Sequence, residues 1–391
     1  MSNQPAWLTS EYLHKLISDS FNDKELRLKD FDVSSGSSLG DGYASQIYRI
    51  KCETTKKTIS IIGKVLLTSS TVESVEGILN VYAKEKLMLQ NILPKLLTKL
   101  PNPIKFFPGF YSADDVNRAL FLEDLCEDGY QLAQHEANGL DLRHSLLVIE
   151  ALAKLHGTSH LLLKENPGMI KNFEKYFQCE ENKGFLEGMV KHTHRSIVGI
   201  INDLKLPEEY KQKLRNADNW VSKVIEIWKR KDDQFNVLIQ TDCWINNLMF
   251  KYDNNSVEAV KIIDFQLCTY HCFAFDLVNF IFSSADINVK TKHLNTLIDR
   301  YFDVFTGITG NNPDFNKERL WKEFNDRLFM GFIATVCMVP TVLAPTKGIH
   351  LDLDAVMEEG SKSHNTENYK NPKFLECLEI LLPYFVQHNA I

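Results

Sequence analysis

The 391-residue chain lacks most of the marks of a specialised scaffold. Its eight cysteines are scattered and form no Cys-x-x-Cys pair. Cys268 and Cys272 flank His271, but no further ligands stand at matching spacing, so a zinc site is not expected. Free thiols in a reducing, cytoplasmic setting are the expectation. Positive charge is also short: 44 Lys and Arg face 51 Asp and Glu, a formal charge of −7. A nucleic-acid partner, which usually needs a basic patch, is therefore disfavoured. The opening Met1-Ser2-Asn3-Gln4-Pro5 has no basic start leading into an apolar stretch, so a signal peptide is not expected. The most membrane-like run, 328–344, holds 17 residues and is interrupted by Pro340 and two threonines. A spanning helix needs roughly 20 apolar residues, so a buried helix is expected there instead. No internal repeat or low-complexity tract is visible.

What is present suits a large folded core: 44% of the residues are hydrophobic and 24% charged. Residues 6–30 read as helical, with Leu13, Leu16 and Ile17 at helical steps. Residues 46–52 alternate apolar and polar, 54–57 suit a turn, and 58–66 suit a returning buried strand. A helix is expected over 73–93, then strands over 105–111 and 119–125. Beyond 135 the pattern is mainly helical, strongest over 142–160. The expected class is α+β and bilobal. Residues 1–125 form a strand-rich N-terminal part with a small antiparallel sheet, and 126–391 a larger helical part.

Several residues carry chemistry. Gly40, Gly42 and Ser45 lie in a small-residue loop before the alternating strand, where backbone N–H groups can approach phosphate oxygens. The same pattern also fits an ordinary hairpin loop. Lys64 sits in an apolar strand and needs a partner if buried. Glu85, on the next expected helix, can supply it and hold the ammonium on the α- and β-phosphates of ATP. Glu123 and Leu125 end an apolar strand, where a backbone carbonyl and N–H can read an adenine edge. Asp242 and Asn247 are five residues apart, and Asp264 ends a Val260-Lys261-Ile262-Ile263 strand. Phosphoryl transfer to an alcohol needs such a set: a carboxylate base at Asp242, and Asn247 with Asp264 holding Mg²⁺ on ATP. Asp276 suits a helix N-cap and also a hydrogen bond to the loop around Asp242. His156 reads as a core histidine.

These motifs together resemble the insect ecdysteroid kinase-like family, a branch of the choline kinase and aminoglycoside phosphotransferase superfamily. The resemblance is collinear from about residue 36 to 286. It runs through Gly42-Tyr43-Ala44-Ser45, Lys64, Glu85, Leu122-Glu123-Asp124-Leu125 and Leu155-His156-Gly157-Thr158-Ser159. It continues through Asp242-Cys243-Trp244-Ile245-Asn246-Asn247-Leu248-Met249-Phe250, Ile263-Asp264-Phe265-Gln266 and Phe275-Asp276-Leu277. The resemblance implies a protein-kinase-like fold and ATP- and Mg²⁺-dependent phosphorylation of a small-molecule alcohol, steroid-like or xenobiotic. It makes Asp242 the base, Asn247 and Asp264 the metal ligands, Lys64 the phosphate-binding lysine and Glu85 its partner. The departure is Gln240-Thr241, where the family usually has His-Gly. Gly63 also stands where a branched residue is usual. The alternative is a weak or inactive kinase-fold protein that binds nucleotide or an apolar ligand. A protein kinase is disfavoured, because Asp276 follows Asp264 by only twelve residues and leaves little room for an activation loop.

Overall fold

Strand-forming residues concentrate early in the chain, and they build one antiparallel sheet. β1 (Leu28–Ser35), β2 (Ser45–Thr54), β3 (Thr58–Leu66), β4 (Phe110–Asp114) and β5 (Ala119–Glu123) lie in the order β1-β2-β3-β5-β4. The computed structural model describes residues 4–23, 25–36, 44–133, 138–216, 218–310, 312–344 and 366–391. Gly40 and Gly42 lie outside them; Ser45, at the start of β2, is buried.

β2 and β3 form the expected hairpin, with Ile47 opposite Lys64 and Arg49 opposite Ile62. Alternate side chains of a strand leave opposite faces. One face of the sheet, with Ile50, Cys52, Ile59, Ile61 and Phe121, packs under α1 (Ser10–Ser20). Gly63 stands opposite Tyr48 and Phe121, and a Cβ there would come within 3.3 Å of Ile50 Cδ1. The other face, with Ile47, Arg49, Ile62 and Lys64, looks into a large cavity.

Three expected elements are shorter or broken. α1 is capped by the Thr9 hydroxyl and ends at Ser20; Asn22, at φ 48°, turns the chain toward β1, so the helix does not reach 30. The 73–93 helix is interrupted. α2 (Ser70–Leu79) stops at Asn80 (φ 53°) and α3 (Val81–Leu87) restarts, passing through a π-helical turn, Met88–Ile92, into α4 (Leu93–Leu97). Asn is among the few residues that tolerate the left-handed region. The 105–111 strand begins only at Phe110. Pro108 has no N–H to give, and the Gly109 N–H goes to the Glu123 side chain at 2.6 Å.

The remainder is mainly helical. α5 (Leu142–Glu165) is long and apolar enough to cross a membrane, but 67% of its most apolar stretch is buried within the protein. Two small antiparallel sheets carry the loops of interest. β6 (Tyr130–Leu132) pairs β8 (Leu248–Asp253), which pairs β9 (Ser256–Ile262). β7 (Asn236–Ile239) pairs β10 (Thr269–Cys272). Around them stand α6 (Lys183–Ile200), α7 (Glu208–Arg215), α8 (Trp220–Trp228), α9 (Ala274–Ser284), α10 (Ile287–Lys292), α11 (Leu294–Thr309) and α12 (Lys317–Asn325). The apolar run at 328–344 forms α13 (Leu328–Val342), packed between α9 and the helix Pro372–Gln387. The result is a two-lobed α+β molecule. One continuous apolar cluster fills the helical lobe and a smaller one lies between the five-stranded sheet and α1.

Candidate active site

β7 runs into the loop that carries Asp242, and a buried carboxylate fixes its exit. Asp276 Oδ2 accepts the Gln240 N–H and Oδ1 the Thr241 N–H, each at 2.7 Å. Asp276 also pairs at 3.0 Å with Nε2 of the fully buried His156, whose Nδ1 meets the Tyr301 hydroxyl at 2.8 Å. His156 is thus a satisfied core histidine. Asp276 is not the N-cap of α9: Phe273 precedes that helix, and Asp276 stands in its first turn with its carboxylate given to the loop.

The departure at Gln240-Thr241 has a clear geometry. Gln240 is fully buried, and its Nε2 donates to the Asp264 carbonyl at 2.6 Å. The amide therefore ties the Asp242 loop to the Asp264 loop, while its Oε1 is buried without a partner. Thr241 holds φ 78°, a region that a β-branched residue rarely enters, and its Oγ1 is also buried without a partner. The glycine that usually stands here would carry neither cost.

The charged residues converge. Lys64 Nζ lies 2.7 Å from Glu85 Oε2 and 3.0 Å from Asp264 Oδ1. Burial pulls the Lys64 ammonium down, but the Asp264 and Glu85 carboxylates outweigh it and hold it above its ordinary value. Asp264 sits at φ 62°, and the turn it makes brings the Phe265 N–H to Glu85 Oε1 at 3.1 Å. Asn247, in the short turn Ile245–Asn247, donates its amide to both the carbonyl and the carboxylate of Asp242 at 2.9 Å. Its backbone carbonyl accepts from Ile263 at 3.0 Å. Burial, and then the charge of Asp264, push the Asp242 carboxyl up to about 7; the Asn247 amide opposes this.

The set fits a magnesium ion. Asn247 spends its side-chain nitrogen on Asp242, which leaves the side-chain oxygen for a cation. Among the described residues no group of three or more His, Cys, Asp or Glu could enclose a metal alone. An Asn oxygen and an Asp carboxylate, completed by phosphate oxygens and water, are what Mg²⁺ prefers.

The charged cluster lines one cavity of about 950 Å³. Ser45, Lys64, Glu85, Glu123, Leu125, Asp242, Asn247 and Asp264 share its wall. Glu123 lies there as an ion-paired side chain, 3.0 Å from Lys105. The opposite half of the cavity is apolar, built by Phe185, Met189, Val221, Trp228, Met330 and Ile333. Among the nearby aromatics, Phe177 and Trp228 reach this wall; Phe173, Trp220 and Phe329 are ordinary core. Tyr176 packs behind Trp228, 5.8 Å between ring centres. The methionines and valines of α6, α8 and α13 carry no motif, so sequence reading missed them.

The ecdysteroid kinase-like family model matches residues 39–309, well over half of the chain. The chain belongs to the ecdysteroid kinase-like family. A search of curated protein sequences returns no significant match. Among solved structures, a choline kinase from Cryptosporidium parvum Iowa II superposes with a TM-score of 0.51 at 12% identity, covering 98% of each chain. A Plasmodium vivax ethanolamine kinase gives a TM-score of 0.44 at 14% identity, covering 94% of this chain and 85% of that one. A spectinomycin phosphotransferase solved with ADP and spectinomycin gives 0.41 at 10% identity, covering 99% of this chain and 100% of that one. At such identity the choline kinase establishes the fold, which is protein-kinase-like. Family and fold support a small-molecule phosphotransferase for this ecdysteroid kinase-like chain.

Proposed function

We propose that the protein transfers the γ-phosphoryl group of ATP to a hydroxyl of a neutral, lipophilic small molecule, an ecdysteroid-like or xenobiotic alcohol. The observation that carries this reading is the division of the cavity. Its charged lining groups among the described residues (Arg49, Lys64, Glu85, Glu123, Asp124, Asp242 and Asp264) belong to the sheet, the linker after it, α3 and the two loops, and its other half is apolar. Among the described residues, a cationic acceptor would find no carboxylate in that apolar half. A flat apolar alcohol would bury most of its surface there.

Asp242 is the base in this reading. Its carboxylate orients the acceptor hydroxyl and takes its proton as the new O–P bond forms. A carboxyl pushed toward neutral pH is suited to that task. Lys64 binds phosphate oxygens, and Glu85 fixes the ammonium. Asn247 and Asp264 hold the metal. When bound, Mg²⁺-ATP supplies the phosphoryl group and neutralises the charge that develops on it. The Leu125–Asp128 turn, directly after β5, is where we place the boundary between the lobes, between residues 125 and 126.

The test is incubation with Mg²⁺-ATP and a panel of sterols and other apolar alcohols, read as phosphorylated product by mass spectrometry. Product should form with wild type and vanish with Asp242→Asn, while ADP binding persists. Nucleotide-induced thermal stabilisation with no product across the panel would instead favour a binding protein.

A further inference from the structure

A nucleotide needs a surface for its base as well as a cradle for its phosphates. Strand alternation puts Ile47 and Arg49 of β2 beside Ile62 and Lys64 of β3 on the cavity face. Lys64, opposite Ile47, marks the phosphate end. Arg49 is the next residue on that face, roughly 7 Å along the strand. It lies toward the linker, because Ile62 pairs with Leu122 and Ile61 with Glu123. Leu132 and Met249, cross-strand partners in β6 and β8, line the same cavity from the helical lobe.

The Arg49 guanidinium is held in place. Its Nε donates to Asp124 Oδ2 at 2.7 Å, and its Nη2 reaches Asp124 Oδ1 at 3.4 Å and Cys126 Sγ at 3.2 Å. Ser60 Oγ donates to the same carboxylate at 2.6 Å. The Asp124 side chain is 1% exposed and that of Arg49 is 26% exposed. The carboxylate is thus sealed behind the strand while part of the cation stays open to the cavity. An ion pair that served only to tether β2 to the linker would not need an open guanidinium on the cavity wall.

We propose that Arg49 is the roof of the base subsite: its guanidinium stacks on one face of a purine whose other face rests on Leu132 and Met249. The proposal rests on the nucleotide-binding reading above. A planar cation stacks on any aromatic face and does not read the ring's edge, so its contribution is the same for adenine and guanine.

The experiment is calorimetric titration of wild type and Arg49→Ala with ADP, GDP and inorganic tripolyphosphate. Removing a stacking partner should weaken ADP and GDP by about tenfold each. Tripolyphosphate, which has no ring, should bind both proteins alike. Arg49→Ala leaves Asp124 sealed and unpaired, so the double variant R49A/D124N serves as the folding control. It should melt near wild type and show the same selective loss. Unchanged ADP affinity in either variant overturns the stacking role. So does a loss for tripolyphosphate as large as that for ADP, because a general charge effect would then explain both. If wild type binds none of the three, the nucleotide reading itself fails, which is a distinct result.

Discussion

Thr241 is the residue at which the loop carries a cost. At φ 78° a β-branched residue is strained by roughly 1–2 kcal/mol, and its hydroxyl is buried without a partner. Glycine relieves both costs, while the flexibility it adds to the unfolded chain costs about 0.4–1 kcal/mol. Relief is the larger effect. Thr241→Gly should therefore stabilise the protein by about 1 kcal/mol, seen as a higher urea midpoint at unchanged slope. A lower midpoint would mean that the backbone at 241 is not strained. Gln240 shows how much of this loop was legible. The sequence marks the position as a departure from the family pattern. That the amide reaches across to the Asp264 carbonyl depends on two loops 24 residues apart meeting in space. In sequence, position 241 shows only a threonine where the family usually has glycine; its positive φ belongs to the folded loop.

Helices α8 and α9 and strand β10 form the back of the apolar wall, and a histidine joins them. The Cys272 N–H donates to His271 Nδ1 at 2.9 Å, so Nε2 carries the proton that bonds the Trp228 carbonyl at the end of α8, at 2.7 Å. The neutral ring fills both roles, and protonation would remove the acceptor for Cys272. Burial lowers His271 from its ordinary 6.5 to about 4. Because the folded value lies below the unfolded one, the stabilisation is complete above pH 6.5 and is lost as pH falls toward 4. The loss is about 3 kcal/mol at most, at 1.36 kcal/mol per pH unit. Denaturant unfolding at pH 7 and pH 4.5 should show a smaller difference in His271→Gln than in wild type. An equal difference in both proteins would remove His271 as its source. The periodicity of α8 and α9 was readable, but this junction was not, because His271 stood out only as a neighbour of two cysteines. Elements failed to match expectation where local chemistry broke a pattern: Asn80 inside a continuous helical period, and Pro108-Gly109 at the front of an apparent strand.

At the scale of the molecule the two lobes meet through charge. Lys64 and Glu85 come from the sheet and α3, and Asp264 from the helical lobe, yet they form one ion-paired cluster, with Lys64 and Glu85 buried and Asp264 partly open. A ligand that binds this cluster binds only the folded state. At one hundred times its dissociation constant it should stabilise the protein by about 2.7 kcal/mol. ADP should raise the melting temperature, and Mg²⁺ should add to the rise in wild type. In Asp264→Asn the magnesium increment should disappear while part of the ADP effect remains. A magnesium increment of equal size in both proteins would show that the metal is held elsewhere.

The sequence by itself determined the α+β class, the order of the charged residues and the chemistry that their types allow. Those properties rest on strand and helix periods and on the few residue types that bind phosphate and magnesium, all of which are local. Tertiary structure alone decided which face of each strand meets the cavity and how Asp276 and Gln240 brace the loop around Asp242. It also decided which apolar residues line the cavity and which form core. Phe177 and Phe173 are four residues apart and chemically identical, yet one lines the cavity and the other is fully buried. An apolar side chain carries the same transfer energy in either place, so only packing against distant segments separates a pocket from a core.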